Sequence, residues 1–106
     1  MAKYLVEATY TAEGMKGLLA EGGSKRREAA AKAIKAVGGK VEAFYFTFGK
    51  SDAVVLVDLP DNVTAAALSL AINASGAVTT NTTVLLTPAE IDEAVKKSVP
   101  YHAPGQ

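Results

Sequence analysis

There is no cysteine among the 106 residues, which excludes a disulfide framework, a thiolate metal site and a thiol nucleophile. Charge of either sign is not in excess. Eleven basic and eleven acidic side chains cancel, so no summed field draws the chain toward nucleic acid or an anionic membrane. Long apolar runs are missing too, since no stretch approaches the roughly 18 uncharged apolar residues of a membrane span. Histidine occurs once, as His102. A catalytic zinc site takes three protein ligands, and carboxylates alone would have to complete one here, so no metal or cofactor is expected. Lys3 and Glu7 interrupt the first apolar run, the wrong pattern for the uncharged core of a signal peptide, and the expectation is a cytoplasmic chain. The length suits one domain over residues 1–106 with a tail at 101–106.

What is present is strongly patterned. Across residues 3–11, Tyr4, Val6, Ala8 and Tyr10 alternate with Leu5, Glu7 and Thr9, the period of a strand. Met15, Leu18 and Leu19 form a short helical stripe before Gly22-Gly23, where backbone freedom favours a break. The helix is expected to resume after Ser24 as N-cap, with Ala30, Ala33, Ile34 and Val37 on one face and Gly38-Gly39 at its end. Residues 40–48 and 53–58 read as adjacent antiparallel strands joined through Gly49-Lys50-Ser51-Asp52. The second of these is apolar on both alternating faces, which predicts a central strand covered on both sides.

Pro60-Asp61 opens another helix, whose expected stripe is Val63, Ala66, Ala67, Leu70, Ala71 and Ala74, with Gly76 as its stop. Residues 78–86 carry Thr79, Asn81 and Thr83 in alternation, the composition of an edge strand. Thr87-Pro88-Ala89-Glu90 is a capping box that starts a last helix with Ile91, Ala94, Val95 and Val99 on one face, closed by Pro100.

The order β-α-β-β-α-β-α is that of an α+β, ferredoxin-like βαββαβ domain with an added C-terminal helix. Right-handed crossovers put both long connections on one face of the sheet and leave the other bare. Each large apolar side chain left wet there forgoes about 1.5–3 kcal/mol, and large exposed apolar patches are uncommon on monomers. The expected cover is a second copy, giving a homo-oligomer built on apposed sheet faces. The C-terminal helix of the same chain is the alternative cover.

Five stretches together resemble the GYD family of small bacterial and archaeal proteins: YLVEATYTAEG, the GG-x-KRREA segment, GGKVEAFYFTFG, VVLVDLPDNVTAAAL and ASGAVTTNTTVLLT. They cover nearly the whole chain. The family's Gly–x–Tyr–Asp turn corresponds to Gly49-Lys50-Ser51-Asp52, so Gly49 and Asp52 match while Ser51 stands in place of the tyrosine. The turn survives that change, but a ligand contact through the phenol does not. The resemblance implies a dimeric α/β-barrel-like fold and no settled activity. Proteins of that architecture include heme-binding, oxygenase, isomerase and stress-related members, an analogy at fold level only.

The sharpest local signal for a ligand is Gly22-Gly23-Ser24-Lys25-Arg26-Arg27. Free backbone N–H groups at a helix start favour an anion, and three cations in a first turn oppose the helix dipole by up to about 1 kcal/mol each when exposed. A small anionic ligand at Ser24, Lys25, Arg26 and Arg27 would relieve that cost. The simpler reading is a capped helix with its cations solvated or paired with Glu21 and Glu28. His102 is able to act as an acid, base or ligand, but stands alone in a tail. Asp52 precedes an apolar strand, where partial burial would suit a general base, though aspartate at such a place more often bonds the amides of its own turn. Tyr10 and Tyr45 are the tyrosines best placed to line a pocket, against the plainer role of core or interface residues with satisfied hydroxyls.

Three functional readings follow. The first is a small-molecule-binding or regulatory module with a pocket between sheet and helices. The second is a cofactor-free enzyme of the dimeric α/β-barrel kind, oxygenase- or isomerase-like, using Asp52, His102 or a tyrosine, and it requires an enclosed polar pocket. The third is a structural protein that self-assembles through sheet faces and its threonine-rich edge.

Overall fold

The computed structural model describes residues 1–106. The four strands β1 (Ala2–Tyr10), β2 (Lys40–Phe46), β3 (Ala53–Leu59) and β4 (Val78–Leu85) and the helices α1 (Ala12–Glu21), α2 (Gly23–Ala36), α3 (Asn62–Ala74) and α4 (Pro88–Ala94) follow one another in the order β1-α1-α2-β2-β3-α3-β4-α4. The strands form one antiparallel sheet in the order β2-β3-β1-β4. This α+β arrangement is compatible with a ferredoxin-like fold. As its composition predicts, β4 lies at an edge, and β3 lies inside.

The alternation in β3 places Ala53, Val55, Val57 and Leu59 on a buried face. Across the ladder they continue into Tyr4 and Ala8 of β1, and the helices close over them with Ile34, Ala65 and Leu68. Tyr4 is 1% exposed at the centre. Its hydroxyl donates to Asn62 Oδ1 at 2.5 Å, which avoids the cost of a buried unpaired O–H.

The expected double cover of β3 is not found within the chain. Its second face, with Val54, Leu56 and Asp58, is only half-buried. The C-terminal helix does not close it either, because residues 86–102 are exposed throughout. The resulting radius of gyration is 16.9 Å, against about 13 Å for a compact chain of this size. The C-terminal arm therefore projects from the body. Its capping box is formed as read, with Thr87 and Glu90 bonding reciprocally under Pro88 at the first turn. Regular helix ends at Ala94 rather than running on to Pro100.

Two further expectations are corrected. The residue that caps α2 is Gly22, not Ser24, and it also closes α1. At φ 84° and ψ 170° Gly22 occupies backbone space closed to side chains, so one residue turns the chain and Ser24 falls inside the helix. Gly23 follows with Phe46 so close that a Cβ would stand 3.0 Å from the ring. In α3 the inward residues are Ala65, Leu68 and Ile72, whereas the expected stripe faces out, with Val63 79% and Leu70 72% exposed. The helix carries no charged residue, so it lacks the polar face that would have set its phase.

Candidate functional site

Between the sheet and α2 and α3 lies a cavity of about 60 Å³. Its floor is the inward row of the sheet, including Val6, Ala8 and Val55, and its roof is Ala30 and Ile34 of α2 with Leu68 and Ile72 of α3. Short side chains create the space. Ala8 and Ala53 sit where larger strand residues would reach the helices, and Ala30 faces them from above. Three polar residues reach this lining: Tyr10, Arg26 and Thr80.

Thr80 is already engaged. Its hydroxyl lies 2.9 Å from Asn73 Nδ2 and 3.1 Å from Ser69 Oγ, and its backbone N–H donates to Asn73 Oδ1 at 3.1 Å. This cluster pins α3 to β4. Arg26 and Tyr10 are different, for neither side chain is engaged in an ion pair or hydrogen bond within the protein. The Arg26 guanidinium lies over the Tyr10 ring, 6.0 Å from its centre, within the range of a cation–π contact.

The structure thus brings Tyr10 together with one of the three cations beside Gly22-Gly23. Arg26 is half-buried toward the cavity, while Ser24, Lys25 and Arg27 are exposed on the outside of α2. Tyr45 lies on the opposite face of the sheet, beside Val54, and is 70% exposed. His102 is exposed in the tail, away from the cavity lining.

Asp52 closes the hairpin loop. Its Oδ2 accepts from the Tyr10 backbone N–H at 2.8 Å, its own N–H donates to Ala8 O at 2.8 Å, and its carbonyl accepts from Thr47 N. The side chain bonds β1 rather than the turn's own amides. Ser51, the residue in the tyrosine position, is itself buried, and its carbonyl accepts from the Thr47 hydroxyl.

The family model for the GYD domain matches residues 4–95 of the chain. The chain belongs to the GYD family. No curated protein and no solved structure matches it. In this GYD domain the matched region holds the sheet apart from the first two residues of β1, together with the cavity and the first turns of the arm. No helix is long and apolar enough to cross a membrane.

The open face of the GYD domain's sheet holds the main electrostatic feature. The Lys3 ammonium bonds both Glu42 and, at 3.0 Å, Asp58. Those two bonds, with Glu42 first, raise its pKa above the usual lysine value. Glu42 is available because the β2–β3 register slips between Val41 and Ala43. Such a bulge frees one residue from the ladder and re-aims its side chain. No motif announces that triad, although the cross-strand pair Lys3 and Asp58 becomes visible once the register is known.

Proposed function

We propose that this GYD domain is a small-molecule-binding or regulatory module that works as a homo-oligomer. The observation that carries the reading is the apolar cavity under α2 and α3, with two polar side chains at its lining that make no hydrogen bond or ion pair within the protein. Binding sites are commonly apolar recesses with a few convergent polar groups. Asp52 is committed to the backbone of β1, so the cavity offers binding contacts more readily than an acid–base pair.

Self-association is supported by two unpartnered surfaces. Leu5, Val54 and Leu56 stand together on the open sheet face, and the arm exposes Ile91, Val95, Val99 and Tyr101. A second copy laid on that face would take both out of water. Native mass spectrometry of protein purified from its own organism tests both parts at once. A closed dimer or larger ring with retained small-molecule mass is expected. A bare monomer across micromolar concentrations would remove the oligomer from the reading.

The outer face of α3, where Val63 and Leu70 are exposed, favours a second reading as a self-assembling structural protein. Growth in mass with concentration beyond any closed oligomer would select it.

A further inference from the structure

We infer that the cavity takes a short-chain apolar carboxylate, with Arg26 as counter-ion and the Tyr10 hydroxyl as second donor. The inference rests on the binding reading above and specifies its ligand class.

The size of the tail follows from the space. A water-sized group needs about 10–15 Å³ of such volume, so about 60 Å³ holds roughly four to six of them. The lining around that space is Val6, Ala8, Ala30, Ile34, Leu68 and Ile72, which offers a tail no hydrogen bond and therefore selects hydrocarbon.

The charge of the head follows from Arg26. Arg26 is half-buried with its stem along apolar walls, and Lys3 is the cation in both ion pairs of this protein, so the Arg26 charge is available to a ligand at the mouth of the cavity. Glu13 and Glu21 line an adjoining surface cleft with Arg26 without bonding it. The Tyr10 ring faces the guanidinium and holds it at the cavity without neutralising it. A carboxylate fits the planar fork of arginine through two parallel bonds, and a branched tail of about four carbons behind it fills the recess.

Titration of the full chain, followed by amide and methyl NMR, tests the inference with isovalerate, the matching alcohol 3-methylbutan-1-ol, and acetate as a tailless anion. Isovalerate is expected to shift the resonances of Val6, Ala30 and Ile72 and to bind at least about tenfold more tightly than the alcohol or acetate, which corresponds to about 1.4 kcal/mol. Arg26→Gln is expected to erase the preference for acid over alcohol while leaving alcohol binding in place, and Tyr10→Phe to weaken the acid alone. Preserved spectral dispersion shows that each variant folds.

Equal affinity for isovalerate and the alcohol, or an acid preference that survives Arg26→Gln, would overturn the inference and leave a neutral-ligand cavity standing. Binding of neither compound would overturn the inference together with the cavity reading on which it rests.

Discussion

Asp52 Oδ2 accepts the backbone N–H of Tyr10 at 2.8 Å, so the hairpin loop is bolted to the end of β1 at the residue where the cavity meets Arg26. Removing the acceptor leaves a part-buried amide unpaired, a loss of about 1–3 kcal/mol. Asp52→Ala is expected to destabilise by that amount in urea unfolding, and Asp52→Asn, which keeps a carbonyl oxygen, by clearly less. Matching losses for the two variants would mean that the negative charge, not the hydrogen bond, is what β1 requires.

Leu5 and Leu56 are direct partners across β1 and β3 on the open sheet face. In the proposed homo-oligomer a charge placed between apposed sheet faces is costly because it cannot be solvated. Leu56→Glu is therefore expected to yield a monomer that keeps its far-UV circular dichroism, as read by light scattering after gel filtration. Removal of residues 87–106 should leave the sheet and its helices folded, since the arm lies outside the core. A Leu56→Glu protein with the mass of the parent would place any subunit contact elsewhere.

Two charged groups have pKa values displaced in opposite directions. The pKa of Lys3 is raised from 10.5 by its bonds to Glu42 and Asp58. Its contribution is complete below that unfolded value and fades as pH climbs through the higher folded one. The pKa of Asp61 is lowered from 3.8 by the backbone N–H of Thr64 that it caps. Its contribution is present above 3.8 and fades as pH falls through the lower folded value. In melting temperatures measured across pH, Lys3→Met should flatten the alkaline slope. Asp61→Ser, which keeps the cap without a titrating group, should flatten the acid one.

Gly14 admits no side chain, because a Cβ there would stand 1.9 Å from the carbonyl oxygen of Ala77. The same carbonyl accepts from Thr11 N–H at 3.0 Å and from the Thr11 hydroxyl, so α1 is docked at its first turn onto the start of β4. Gly14→Ala must push that junction apart, at a cost of about 1–3 kcal/mol for an overpacked site. Gly17→Ala, with open space around it, serves as the control and should be neutral or slightly stabilising in thermal melts.

Local chemistry made much of the fold legible. The alternation of Tyr4, Val6, Ala8 and Tyr10 marks the inward row of β1, the threonines of β4 mark an edge, and Thr87 with Glu90 forms the capping box where it was read. Each depends on residues within a few positions of one another. The inward face of α3 was not legible, because thirteen uncharged residues offer more than one apolar stripe. Packing selected Ala65 and Leu68, which join the core cluster of Tyr4 and Val57, and Ile72, which packs against it.

For the candidate site the division runs through single residues. Gly22-Gly23 and the run of three cations mark a helix start rich in positive charge, but nothing in Lys25-Arg26-Arg27 distinguishes the middle residue.

Sequence by itself determined the order of elements, the edge position of β4 and the caps at Asp61 and Thr87, all properties of short-range pattern, and membership of the GYD family, which rests on a match over residues 4–95. Tertiary structure alone decided that Arg26 turns toward Tyr10, that Glu42 leaves its ladder to meet Lys3, and that the arm leaves the open sheet face uncovered. These depend on helix phase, strand register and the direction of the chain after Gly22. Such quantities are set by how distant surfaces pack, and residues close in sequence do not encode them.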